Sequence, residues 1–239
     1  YVADRIIETL RARPDEPLYI HGAFSEAHGP YNMPVTDEEV ENTVLPPFLP
    51  KLPQTREAKE YMARLNKSVT QGDAAVGRIL DFLRETGLEK DTLVYLTCDH
   101  GMDLPAAKQC CYDAGTGTIM LFWGCGLKPH VFEGLSSHVD IPVTVCDLFD
   151  IPAPPDARGE SRLNALLARD DPGRKYVFSE VAYENTDVPV RAIRTKTHKY
   201  IQNFNPGWPV ATANSFSQRV GFERLTKIYN TPRPAVELY

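Results

Sequence analysis

Asp99-His100-Gly101 carries the most concentrated chemistry in the sequence. Asp99 offers a hard oxygen and His100 an imidazole nitrogen, and on an irregular turn two such neighbours can face one cation. Gly101 then lets the chain turn away sharply. Lys108 is the only cation in the ten residues after the pair, and His28, in Ser25-Glu26-Ala27-His28-Gly29-Pro30-Tyr31, supplies a second imidazole. Each has a plainer reading: Asp99 caps a turn with His100 packed beside it, His28 is a solvated loop side chain, and Lys108 is an ordinary surface cation. His21 reads as a satisfied core histidine, and His130, His138 and His198 as surface or packing residues. Cys98, Cys125 and Cys146 lie in apolar runs and read as small core residues. Cys110 and Cys111 are adjacent and poorly placed to bridge each other, and five cysteines do not suggest a disulfide framework.

The elements that must position these residues follow from periodicity. Val2, Ile6 and Leu10 recur at helical spacing before Pro14, which predicts a helix over 2–13. Leu18–Phe24 reads as a buried strand that runs into the His28 segment, followed by a long loop rich in proline from Pro30 to Pro53. Tyr61, Leu65, Val69, Val76, Leu80 and Leu83 predict one long helix from Arg56 to Thr86, closed by Gly87. Thr92–Cys98 has the apolar density of a central parallel strand covered on both faces, so Asp99 and His100 fall at its carboxyl end, facing a cleft shared with His28. Thr118–Trp123 reads as a further strand, and Asp140-Ile141-Pro142 opens a helix to about Phe149. Tyr176–Val181, Val190–Arg194 and Lys199–Phe204 read as strands, the last two as a hairpin around Lys196-Thr197. Alternating strands and helices predict an α/β fold with a doubly wound, mostly parallel sheet over 1–155 and a small α+β subdomain over 156–239.

The 239 residues carry 26 basic and 32 acidic side chains, a net charge of −6, which gives no basic field for nucleic acid. No run approaches the ~18 apolar residues of a membrane span. The chain opens on Tyr1-Val2-Ala3-Asp4-Arg5, inside a helix pattern and without a secretory signal, and ends on Glu237-Leu238-Tyr239. Both ends read as truncated, so localisation, cytoplasmic or periplasmic and secreted, stays open, as does oligomeric state.

The order of these pieces resembles the sulfatase family of the alkaline phosphatase superfamily over nearly the whole chain. Pro17–Tyr31 is similar to its strand followed by His-Asp-Pro-His-x-Pro-Tyr, with Glu26 and Ala27 in place of Asp-Pro. Asp73–Leu80 with Leu83 and Gly87 resembles its long-helix signature, which leads into Asp91–Val94 and Cys98–Gly101. Pro105–Lys108 with Tyr112–Gly115, Val139–Thr144, Arg191–Ile201 and the terminal Glu237-Leu238-Tyr239 find counterparts in order. The Leu104-Pro105 loop and the last 40 or so residues are similar, more loosely, to heparan N-sulfatase-like members.

The resemblance implies an alkaline-phosphatase-like fold and a metal-dependent hydrolase of sulfate esters or N-sulfates, acting on a small-molecule or saccharide substrate. Asp99 and His100 would be two ligands of a divalent metal, Ca²⁺ by family. His100 stands where many sulfatases have Asn, and an imidazole shifts preference toward Mn²⁺ or Zn²⁺. Lys108 would set an ammonium against a sulfate oxygen where charge develops. His28 would bind the sulfate or protonate the leaving oxygen. The family nucleophile is a formylglycine made from Cys or Ser in Cys/Ser-x-Pro/Ala-x-Arg, and no cysteine here has Arg four residues later. That motif and a further Asp pair of ligands are expected in a missing N-terminal portion, without which the chain should not turn over sulfate esters. A phosphodiester or phosphonate hydrolase of the same superfamily, and a non-catalytic sulfatase-like binding protein, are the alternative expectations.

Overall fold

The computed structural model describes residues 1–46, 54–182, 189–207 and 232–239. Helix α1, Val2–Ala12, turns Ala3 and Ile7 inward. They meet Ile79, Phe82 and Leu83 from the C-terminal half of a long helix, and Asp4 pairs with Arg78 across the contact. Helix α2, Asp37–Asn42, sits inside the proline-rich loop, where the sequence reading expected no element. Its signal was present as a capping box, with the Thr36 hydroxyl accepting from the Glu39 amide and the Glu39 carboxylate accepting from the Thr36 amide. Residues 47–53 of that loop lie outside the described residues.

Helix α3 spans Arg56–Thr86, as the spacing predicts. The Thr55 hydroxyl caps its start, and Gly87, at φ 76°, closes its end in the left-handed conformation that glycine tolerates. At 1.5 Å per residue its 31 residues extend about 46 Å, long enough to serve two cores. The N-terminal half buries Ala58, Tyr61, Met62 and Leu65 against Tyr31, Leu104 and Ala107, while the C-terminal half packs on α1. No helix is long and apolar enough among the described residues to cross a membrane.

After a 3-10 turn at Leu88–Lys90 come β1, Leu93–Thr97, the short helix α4, Asp113–Thr116, and β2, Met120–Gly124. Helix α5, Asp140–Leu148, follows as expected, and a short helix α6 covers Leu163–Leu166. Asp140 is fully buried, bound by the Arg174 guanidinium and by the amides of Ser137 and Glu160. Burial by itself would raise its pKa, but these donors outweigh burial and hold the carboxyl below its ordinary range. A second sheet takes the order β3-β4-β5-β6, from Val177–Val181, Val190–Arg194, Lys199–Asn203 and Val236–Leu238. The β4–β5 hairpin pairs Arg194 with Lys199 as the sequence predicts, whereas β6 was read only as a motif.

The mixed α/β class holds, but the parallel pairing does not form among the described residues. β1 pairs antiparallel with β2, Val94 facing Trp123 and Leu96 facing Leu121. Leu18–Phe24 forms no strand; Tyr19 is 90% exposed, and His21 is exposed rather than a core histidine. β1 is half-buried, not buried on both faces. Its apolar run is suited to a doubly covered strand, yet burial requires a layer packed on each face, and among the described residues β1 pairs with β2 alone in a two-stranded sheet. The cysteines are corrected likewise: Cys98, Cys125 and Cys146 are half-exposed, while Cys110 and Cys111 are the buried pair, and all five are free. Burial pushes the Cys110 thiol up to about 12.

Candidate active site

The His28 turn is fastened to α3 from two directions. Its backbone closes by the His28 amide donating to the Ser25 carbonyl at 2.9 Å, and the Ser68 hydroxyl of α3 donates to the Glu26 carbonyl. Tyr31, 1% exposed, donates to the Ala27 carbonyl at 2.9 Å and packs edge-on against Tyr61 of α3. The same Tyr61 hydroxyl reaches the carbonyl and carboxylate of Asp103, at 3.2 and 3.3 Å. One side chain therefore ties the His28 turn to the loop that follows the Asp-His pair.

At the carboxyl end of β1, Asp99 does cap its own turn, accepting from the His100 amide at 2.9 Å. The His100 ring sits close by, Nε2 at 3.4 Å from the other Asp99 oxygen. His100 Nδ1 donates to the Gly101 carbonyl at 2.8 Å, and His28 Nδ1 donates to the Gly29 carbonyl at 2.6 Å. A carbonyl only accepts, so each Nδ1 carries the hydrogen and each Nε2 is left as the working nitrogen. In neutral His100 that lone pair faces a carboxylate oxygen, an arrangement satisfied by a proton or a cation between them. Two donors fit part of a metal shell. Among the described residues no three His, Cys, Asp or Glu side chains converge.

Lys108 occupies a tight loop with buried neighbours. Leu104 and Ala107 are fully buried, the Lys108 amide donates to the Met102 carbonyl at 3.2 Å, and Ala106 and Gln109 adopt positive φ on either side. Non-glycine residues in that region store strain that the packing must hold. The Lys108 ammonium has no hydrogen bond or ion pair among the described residues. Gly101 is required by contact rather than by turning: a Cβ there would lie 1.7 Å from the Ala114 carbonyl oxygen of α4. Gly115, likewise, sits where a Cβ would meet the carbonyls of Ala107 and Cys110 at 2.1 and 2.7 Å.

His28, Asp99, His100 and Lys108 all line one groove, together with Leu18–Phe24, β1 and part of α5. Its volume is roughly 3510 Å³, beyond the ~300–1,000 Å³ of a small-ligand pocket. Glu26, standing where the resembled motif has Asp, lines it as well, and one of its buried carboxylate oxygens has no hydrogen bond among the described residues. Sequence reasoning missed Tyr61 and Asp103, and also Asp113, which holds Arg194 at 2.8 Å and Lys199 at 2.8 Å. Such pairs span up to 86 residues and leave no periodic signal.

Residues 1–151 match the family profile described as Sulfatase, and the chain belongs to the sulfatase family. It is 25% identical over 256 residues to N-sulphoglucosamine sulphohydrolase of Homo sapiens, covering 90% of this chain and 50% of that protein. It is 29% identical over 170 residues to the ulvan-active sulfatase of Formosa agariphila, covering 68% and 27%. A solved structure assigned as a sulfatase, yidJ of Bacteroides fragilis, superposes with a TM-score of 0.71 at 18% identity, over 95% of this chain and 55% of that one; this likeness concerns the fold. The chain thus spans about half or less of the length of these curated relatives.

Proposed function

We propose that the chain supplies one wall of a sulfatase active site that hydrolyses sulfate esters or N-sulfates of saccharides. The observation that carries this is the gathering of His28, Asp99, His100 and Lys108 on one groove, with both imidazoles locked through Nδ1. Asp99 and His100 would hold a divalent metal, which when bound polarises a sulfate oxygen. Lys108, whose ammonium has no ion pair among the described residues, presents it to the same oxygens, where negative charge grows as the S–O or S–N bond breaks. His28, in its protonated form, gives the Nε2 proton to the leaving oxygen or nitrogen. The remaining groove, apolar and too large for a sugar, is the seat of the rest of the sulfatase polypeptide, which also brings the nucleophile.

The test is the full-length protein containing this chain, assayed with p-nitrophenyl sulfate, glucosamine N-sulfate and a phosphonate monoester. Faster turnover of either sulfate supports the reading. Preference for the phosphonate would move the protein to another branch of the superfamily, and binding of sulfated sugars without turnover would make it a binding protein.

A further inference from the structure

The C-terminal sheet packs on Cys111 and Tyr112 and holds the short helix that follows them, α4. Lys199 of β5 is 3% exposed, and its ammonium donates to the Asp113 carboxylate at 2.8 Å and to the Thr116 hydroxyl at 2.9 Å. It thereby grips the first and last residues of α4. Arg194 of β4 adds two contacts of 2.8 Å to Asp113. Beside them, Tyr112 donates to Glu237 of β6 at 2.9 Å, and Asn203 of β5 donates to the other Glu237 oxygen at 2.7 Å. Burial by itself would raise the Asp113 pKa, but the two cations hold it below its ordinary range.

What α4 touches on its other side gives these bonds a consequence. Gly115 lies directly against the carbonyls of Ala107 and Cys110, which flank Lys108. Its own carbonyl accepts from the Gly101 amide at 2.9 Å, and the Ala114 carbonyl abuts Gly101, next to His100. Both contacts are backbone against backbone, with no flexible side chain between to absorb a shift. A displacement of α4 is therefore passed to the Asp99-His100 turn and to the Lys108 loop together. Ion pairs with one buried partner are the kind that fix a geometry, because the buried charge has no alternative solvation.

We infer that Lys199, with Asp113, is a positioning residue: it holds α4 so that Lys108 and the Asp99-His100 pair share one geometry. This rests on the sulfatase reading for its catalytic consequence, but not for its structural one.

The experiment has two arms, which separate those consequences. On this chain, hydrogen exchange is followed at the Gly101 amide in Lys199→Met and in Asp113→Asn, with the amides of α3 as the folding control. Gly101 exchange about ten-fold faster, with α3 unchanged, is the expected result. Wild-type protection at Gly101 in a folded variant overturns the proposal, and Asp113→Asn, at an exposed side chain, keeps the test open if Lys199→Met does not fold. In the full-length enzyme the same variants lower kcat for p-nitrophenyl sulfate about ten-fold or more, with KM within about two-fold and partial recovery in Lys199→Arg. Wild-type kcat in both variants overturns the proposal. A wild-type enzyme that turns over no sulfate removes the sulfatase reading and leaves the exchange result to decide the rest.

Discussion

At the scale of single residues, the two candidate imidazoles are prepared in the same way. Each spends Nδ1 on the carbonyl of the next residue, so tautomer and ring direction are set by backbone; His100 Nε2 then faces the Asp99 carboxylate, where a proton or a metal fits. Lys108 differs because nothing described neutralises its ammonium, and its position is fixed by its buried neighbours and by its amide on the Met102 carbonyl. Lys108→Ala in the full-length enzyme is therefore expected to lower kcat about 10²-fold or more, the scale for losing a donor aimed at developing charge; steady-state kinetics showing unchanged turnover would return Lys108 to the surface. Asp99 and His100 amount to two ligands, whereas Zn²⁺ sites take about four and Ca²⁺ sites about six to eight. Calorimetry on this chain with Ca²⁺, Mn²⁺ and Zn²⁺ should therefore give dissociation constants weaker than about micromolar. Sub-micromolar binding abolished by Asp99→Ala would mean that the site is complete within these residues.

At the scale of elements, α3 and α4 do the positioning by different physics. α3 works by length, with one end in each core and Tyr61 bridging the His28 turn and the Asp103 loop. α4 works by closeness, since its glycine lets backbone pack on backbone. Gly115→Ala is expected to cost about 1–3 kcal/mol, the range for overpacking an interior that cannot yield. In the full-length enzyme kcat should fall with it, because the carbonyls that must move flank Lys108. Denaturant titration and kinetics of that variant form the check, and a Gly115→Ala protein with wild-type stability would contradict the contact geometry.

At the scale of the whole molecule, stability and site geometry draw on separate charge networks. Asp140, 1% exposed, binds Arg174 and two amides and ties α5 to the segment before β3. Its folded pKa is depressed, so its contribution is complete above the unfolded value of about 3.9 and is lost as pH falls below it. The melting temperature should fall as pH drops below about 4. Asp140→Asn should lose about 3 kcal/mol at neutral pH, the scale for breaking a buried pair, and should show a flatter decline in acid. Parallel acid profiles for the two proteins would assign the pH dependence elsewhere.

Several local elements and the residue types of the candidate site were open to reading from the sequence alone. Helix α3 was legible from apolar spacing and Gly87, the β4–β5 hairpin from its two short strand runs, and Asp99, His100, Lys108 and His28 from residue type and order. These are readable because periodicity, caps and motif order are properties of neighbouring residues. The tertiary structure decided which of those residues face one another. It set β1 antiparallel to β2, left Leu18–Phe24 without a strand partner among the described residues, exposed His21, and placed Lys199 and Glu237 beside the helix that packs on the Lys108 loop. Each of those outcomes is a contact between residues far apart in the chain, and a strand-like run specifies how apolar its faces are, not which neighbour will cover them.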